Sequence, residues 1–249
     1  MNIKALIFDV DGTIADTEET HRQAFNAAFL AFELGWEWSR REYAELLRTS
    51  GGKERIAVYV DSLAVTPREK ARLKGMIQLI HDTKTRIYGE LITYGRAPLR
   101  PGVARLIGEA RSAGLRLGIA STTTSANVSA LIGAQFGAKA WNWFEAVACG
   151  DVVQNKKPAP DIYVRVLGML RLPAEACVAF EDSVNGLKSA KAAGLYTVVT
   201  PTHWSAGQDF SGADLVLGNM DAAGPDGKPH LTVERLREMH AAALRSAAA

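Results

Sequence analysis

Two carboxylates, Asp9 and Asp11, stand one residue apart at the end of the apolar run Ala5-Leu6-Ile7-Phe8, and Gly12 and Thr13 follow at once. A buried strand avoids charge, so acids placed there require a cation, a hydrogen-bond network or a reaction. Three more apolar runs lead to residues able to do chemistry. "RLGIAST" ends in Ser121 and Thr122, with Thr123 next. "AVACGD" opens into "GDVVQNKKPAPDIY", where Lys156 and Lys157 precede a proline, and "CVAFED" ends in Glu181 and Asp182, with Ser183 behind them. If these runs are neighbouring strands of one parallel sheet, four acids, several hydroxyls and one or two amines meet in the crevice beyond the strand ends. The same residue types also serve as turns and helix caps, and Lys156 reads as a solvated side chain.

The surrounding elements favour such a sheet. Apolar runs at 116–122, 146–151, 177–182, 196–201 and 213–219 alternate with helical patterns at 101–114, 125–137, 160–171 and 183–194. Continuous apolar strands are buried on both faces, and their alternation with helices is the βαβ pattern. Pro101 stands at a helix start, and Gly114, Gly137 and Gly194 stand at helix ends. The fold expected is α/β, a doubly wound, mostly parallel Rossmann-like sheet. Residues 17–90 contain no convincing strand: Phe25, Phe29 and Phe32 form one helical stripe, and "TPREKARLKGMIQLIHDTKTRIYGELI" reads as one long helix with Leu73, Ile77 and Ile80 on a face. This predicts an α-helical cap domain, 17–91, inserted into a core domain made of 1–16 and 92–249, with linkers near 14–18 and 90–98.

Composition narrows the function. The chain has 249 residues, 47% hydrophobic and 22% charged, with a formal net charge of +2 and scattered basic residues, which gives no basis for nucleic-acid binding. Cys149 and Cys177 lie in apolar runs and read as buried thiols of a reducing compartment. No run approaches the ~20 apolar residues of a membrane span, and no signal peptide is evident, so a cytoplasmic protein is expected. Other motifs fail: an EF-hand counted from Asp9 would have Ile14 and Thr20 where Gly and Glu belong, and "SGGKE" has Glu54 where a Walker A loop needs Ser or Thr. There is no Gly-x-Ser-x-Gly elbow.

The segments "DVDGT", "AST", "KKPAPD" and "FEDS", in that order at strand ends, resemble the signature of the haloacid dehalogenase superfamily of aspartate-nucleophile phosphohydrolases. The resemblance implies that Asp9 attacks phosphorus and that Asp11 is general acid and then base. It implies a Mg²⁺ ion held by Asp9, the Asp11 main-chain carbonyl, Glu181 and Asp182, and phosphate binding by Ser121, Thr122 and Lys157. Three acids against Mg²⁺ and one lysine make an approximately neutral socket for phosphate. Asp9 as a neighbour is expected to raise the pKa of Asp11. A helical cap after the first segment resembles the branch of sugar phosphatases and β-phosphoglucomutase. "TSGGKER" and "HDTKT" resemble its CbbY-like members, implying a phosphatase that converts xylulose-1,5-bisphosphate, an inhibitor arising from Rubisco misfire, to xylulose 5-phosphate. The partner implied is thus a small phosphorylated sugar, without nucleic acid or membrane, and the link to Rubisco is metabolic, without direct contact. Glu18, His21, Tyr43, Gly52, Lys53, Arg55, His81 and Lys84 become candidate substrate contacts, with Lys53 and Arg55 clamping a second phosphate. A β-phosphoglucomutase-like isomerase and a non-catalytic phosphate-sensing module stay open as alternatives.

Overall fold

The computed structural model describes residues 2–150, 152–224, 227 and 231–247. Among them, six parallel strands form one sheet: β1 (Ala5–Phe8), β2 (Arg116–Ser121), β3 (Phe144–Cys149), β4 (Cys177–Glu181), β5 (Tyr196–Val199) and β6 (Leu215–Val216), in the order β3-β2-β1-β4-β5-β6. The order reverses between β1 and β4, the switch point at which open α/β sheets gather ligands. Phe8 is in register with Ile119 on one side and Phe180 on the other, and the Phe8 and Phe180 rings stack at 4.7 Å. The residues after Phe8, Ile119 and Phe180 therefore emerge together at one edge. Asp151, the last residue of the run expected at 146–151, lies outside the described residues.

Helices cover both faces. On one side α6 (Val103–Ser112), α7 (Ser125–Phe136) and α10 (Val233–Ala247) bury Leu106, Ile107, Leu131 and Leu236 against Leu6, Phe8 and Leu117. On the other, α8 (Asp161–Leu170) and α9 (Val184–Ala192) bury Tyr163, Val166 and Ala190 against Ile7 and Ala179. Alternate residues of β1 thus serve opposite faces, as the period of two requires.

The insertion is helical throughout: α1 (Glu18–Ala31), α2 (Arg40–Leu46), α3 (Gly52–Ser62), α4 (Pro67–Gly75) and α5 (Ile77–Thr93). Its own apolar core holds Phe25, Phe29, Trp38, Tyr43, Ile56, Leu73 and Ile80. Burial of each of the larger of these side chains stabilises the fold by about 1.5–3 kcal/mol. The long helix expected from Thr66 onward is two helices instead, broken at Met76 after Gly75. Glycine has the weakest helix preference after proline, and kinks fall where it occurs. The two connections run side by side: Asp16 N–H donates to the Pro98 carbonyl at 3.0 Å and Arg100 N–H to the Ile14 carbonyl at 2.9 Å, around an antiparallel bridge between Ala15 and Leu99.

Candidate active site

The chain leaves β1 into a tight turn in which Gly12 takes φ +84°; a Cβ there would fall 2.2 Å from Asp182 Oδ2, so glycine is required for both conformation and space. The turn places Asp9 beside the ends of β2 and β4. Lys157 Nζ donates to Asp9 Oδ1 at 2.6 Å, to Glu181 Oε1 at 2.6 Å and to the Ala120 carbonyl at 2.9 Å, all in the interior. Thr13 Oγ1 donates to Asp9 Oδ2 at 3.2 Å, and the Tyr163 hydroxyl to Glu181 Oε1 at 2.6 Å. Lys156 reaches the Gly150 carbonyl at 2.8 Å, so it is tied to the loop and not simply solvated.

Asp9, Glu181 and Asp182 form a buried cluster with one carboxylate oxygen of each within 4.8 Å of the others. Burial raises the pKa of Asp9 to about 8, helped by Glu181 and Asp11 and opposed by Lys157; burial, with Asp9, Glu181 and Glu18 nearby, pushes Asp182 well above the carboxylate range. Glu181 Oε2 is buried without a hydrogen-bond partner. Three crowded acids, two of them driven toward neutrality and one with an orphan oxygen, fit a hard divalent cation bound through oxygen, the donor set Mg²⁺ takes. The helix caps are supplied by other residues: Thr124 Oγ1 caps α7 and Ser183 Oγ caps α9, so the capping alternative for Ser121–Thr123 and Glu181–Asp182 falls away.

Asp11 differs from the expectation. Its Oδ1 accepts from Thr17 Oγ1 at 2.7 Å and pairs with His21 Nε2 at 2.8 Å. Burial would raise its pKa, but the charge and hydrogen bonds of His21 and Thr17 prevail and hold it down at about 2. The raised pKa expected from Asp9 is therefore corrected: the partners on the cap side outweigh the neighbouring acid. His21 Nδ1 lies 2.5 Å from Lys84 Nζ, and its ring stacks on Tyr88 at 4.1 Å. Burial brings Lys84 down to about 7, and burial with Lys84 beside it lowers His21.

One cavity lies between these groups and the cap. Asp9, Asp11, Asp182, Lys157, Thr122 and Thr123 wall it from the sheet, and Glu18, His21, Gly52, Arg55, His81 and Lys84 from the cap. Four of the predicted contacts are not in its wall. Ser121 sits behind, its Oγ accepting from Thr123 N–H at 3.2 Å, and Glu181 sits behind Lys157. Tyr43 braces the wall: its hydroxyl donates to Glu18 Oε2 at 2.8 Å and accepts from Arg55 Nη1 at 3.1 Å. Lys53 lies toward Gln78, its Nζ 3.5 Å from Oε1, because two residues on a helix are about 200° apart and Arg55 takes the inward face. Gly52 lets His81 approach, since a Cβ there would sit 2.5 Å from His81 Nε2. The sequence reading missed Ser50, Asn185, Trp204 and Gln208, which also line the wall. None is an acid, amine or metal ligand, and Trp204 and Gln208 come from an irregular loop after β5, so no spacing marked them.

Strand-end acids at a sheet switch point, facing a helical cap, define a class that comparison bears out: the profile of haloacid dehalogenase-like hydrolases matches residues 3–194, and the chain belongs to that family. Within it the chain falls in the CbbY-like branch. It is 52% identical to Protein CbbY of Rhodobacter capsulatus over 231 residues, 93% of this chain and the whole of that one. CbbY of Rhodobacter sphaeroides has been solved in complex with phosphate, at 47% identity and a TM-score of 0.81 over 87% of this chain and 94% of that one. A mutant of the same protein was solved with xylulose-(1,5)-bisphosphate, at 46% identity and a TM-score of 0.80 over the same shares. Among the described residues no helix is long and apolar enough to cross a membrane.

Proposed function

We propose that this hydrolase removes one phosphate from a ketose bisphosphate, with xylulose-1,5-bisphosphate as substrate and xylulose 5-phosphate as product, in the cytoplasm, where its two buried free cysteines stay reduced. The observation that carries the reading is one cavity with cationic side chains on both of its walls: Lys157 beside Asp9 on the core side, and Arg55, with His81 and Lys84, on the cap side. A bisphosphate can meet a cation on each wall, and the relative solved with that ligand supports the match.

In this reading Asp9 attacks phosphorus, the bond from phosphorus to the sugar oxygen breaks, and an aspartyl phosphate forms. Lys157 fixes the position of Asp9, and Thr122 borders the phosphoryl oxygens. Mg²⁺, held by Asp9, Glu181, Asp182 and the Asp11 carbonyl, would cancel the repulsion between carboxylate and phosphate. Asp11 is an anion as it stands, ready to take a proton from the water that hydrolyses the aspartyl phosphate. To protonate the leaving oxygen it first receives a proton, and His21, backed by Lys84, is placed to hand one over. Residues 17–91 act as the lid on a core of 1–16 and 92–249, excluding bulk water while the acyl phosphate exists. An isomerase would use the same aspartates but retain the phosphoryl group through a reorientation of the sugar.

Steady-state kinetics test the two-walled site. Arg55→Ala raises KM for xylulose-1,5-bisphosphate by about 10- to 100-fold, the worth of one charged hydrogen-bonding group. Lys53→Ala leaves it within about twofold, as for a surface substitution. Equal KM in wild type and Arg55→Ala would contradict the reading.

A further inference from the structure

The loop between α2 and α3 is gripped from two sides. From the cap, Arg55 Nε donates to the Leu46 carbonyl at 3.2 Å and Nη2 to the Thr49 carbonyl at 3.4 Å. From the core, Asn185 Nδ2 donates to the Arg48 carbonyl at 2.9 Å and lies 3.3 Å from Ser50 Oγ. Asn185 stands in the first turn of α9, three residues after Asp182, and that turn is braced in its own right. Ser183 Oγ accepts from Gly186 N–H at 3.2 Å, and Val184 N–H donates to Gln208 Oε1 at 2.7 Å. Trp204, from the same loop as Gln208, packs edge-on against Tyr43 of the cap at 5.6 Å. One cap loop is thus bonded to the turn that follows Asp182 and, on its other side, to the Arg55 guanidinium in the cap wall of the cavity.

We propose that Asn185 is a positioning residue that couples seating of the cap to the orientation of Arg55. Its amide reaches the Arg48 carbonyl and Ser50 only when the cap rests on the start of α9. The loop so fixed presents two carbonyls that hold the Arg55 fork. A guanidinium has five N–H donors; three are engaged here by the Leu46 and Thr49 carbonyls and the Tyr43 hydroxyl, so an anion can still be bound by an arginine held in one orientation. An amide suits the task because it bonds without adding charge beside Asp9, Glu181 and Asp182. The inference rests on the bisphosphate reading for what Arg55 binds, while the coupling itself is a property of the loop.

The test uses the full chain with Mg²⁺. Asn185→Ala raises KM for xylulose-1,5-bisphosphate by up to about tenfold, the scale of one net hydrogen bond, with kcat within about threefold. Hydrolysis of acetyl phosphate, which has no distal anion, loses less than hydrolysis of xylulose-1,5-bisphosphate. Adding Asn185→Ala to Arg55→Ala costs nothing further, because coupled sites are not additive. Amide hydrogen exchange over residues 46–55, with orthophosphate present, is faster in Asn185→Ala than in wild type. Equal losses on both substrates, additive effects, or unchanged exchange would each overturn the proposal. A wild-type enzyme with no preference for bisphosphate over xylulose 5-phosphate would sink the functional reading separately, and the exchange measurement would then decide the coupling alone.

Discussion

Asp9 and Asp11 are chemically identical and one residue apart, yet the structure gives them opposite proton affinities. Asp9 is buried among other acids and rises to about 8, whereas Asp11, hydrogen-bonded to His21 and Thr17, falls to about 2. The sequence shows the pair at a strand end, but the sign of each shift depends on what the cap folds against it. His21 and Lys84 are 63 residues apart in the chain, and no local pattern announces that they meet. The division of labour has a consequence for Asp11→Asn. Its carboxylate is outside the three-acid cluster, so Mg²⁺ raises the melting temperature of the variant as it does that of wild type, while kcat falls by about 10²–10⁴, the range of a lost general acid-base. Loss of the Mg²⁺ effect in thermal denaturation would show that the side chain is part of the ion site.

Among the elements, the strands were legible because parallel strands buried on both faces read as unbroken apolar runs, and α7 and α9 because hydroxyl caps and terminal glycines mark them. The break at Met76 was not legible, since the apolar stripe continues across Gly75 with helical spacing. Lys53 was misplaced for a related reason: "GGKER" names two cations, and only the start of α3 at Gly52 decides which of them faces inward. The turn after β1 gives the sharpest test at this scale. Gly12→Ala places a methyl group against Asp182 and forces a positive φ that costs about 1–2 kcal/mol in itself. The variant therefore loses Mg²⁺-dependent stabilisation and phosphatase activity together, measured by thermal melts with and without the ion. Retention of both would show that Asp182 is free to move.

For the whole molecule, the buried acids at the sheet edge tie folding to pH and to the ion. A carboxyl whose folded pKa lies above its unfolded value keeps a proton that the unfolded chain has released. Stability then falls as pH rises from the unfolded value of 3.8 toward the folded one, about 8 for Asp9, and Asp182 acts in the same direction. His21, lowered by burial, acts in the opposite sense around and below its ordinary 6.5. Lys84, brought down to about 7, does so above that value, so the two carboxyls are opposed by one group at a time. The metal-free protein therefore melts at progressively lower temperature between about pH 5 and pH 8, and saturating Mg²⁺ flattens that decline by binding the ionised acids. Differential scanning calorimetry across this range would contradict the account if the ion had no effect at pH 8. The sheet, the insertion and the four strand-end segments could be read from the chain because they lie in contiguous residues. The cavity could not, because it is assembled from the ends of three strands, the Lys157 loop, three cap helices and a loop after β5. Its central claim is a reaction with a fixed stoichiometry, and product accounting tests it most directly. With Mg²⁺ and xylulose-1,5-bisphosphate, the account predicts one equivalent of inorganic phosphate and one of xylulose 5-phosphate, with no further release. Rearrangement without free phosphate, release of two equivalents, or no turnover would contradict it.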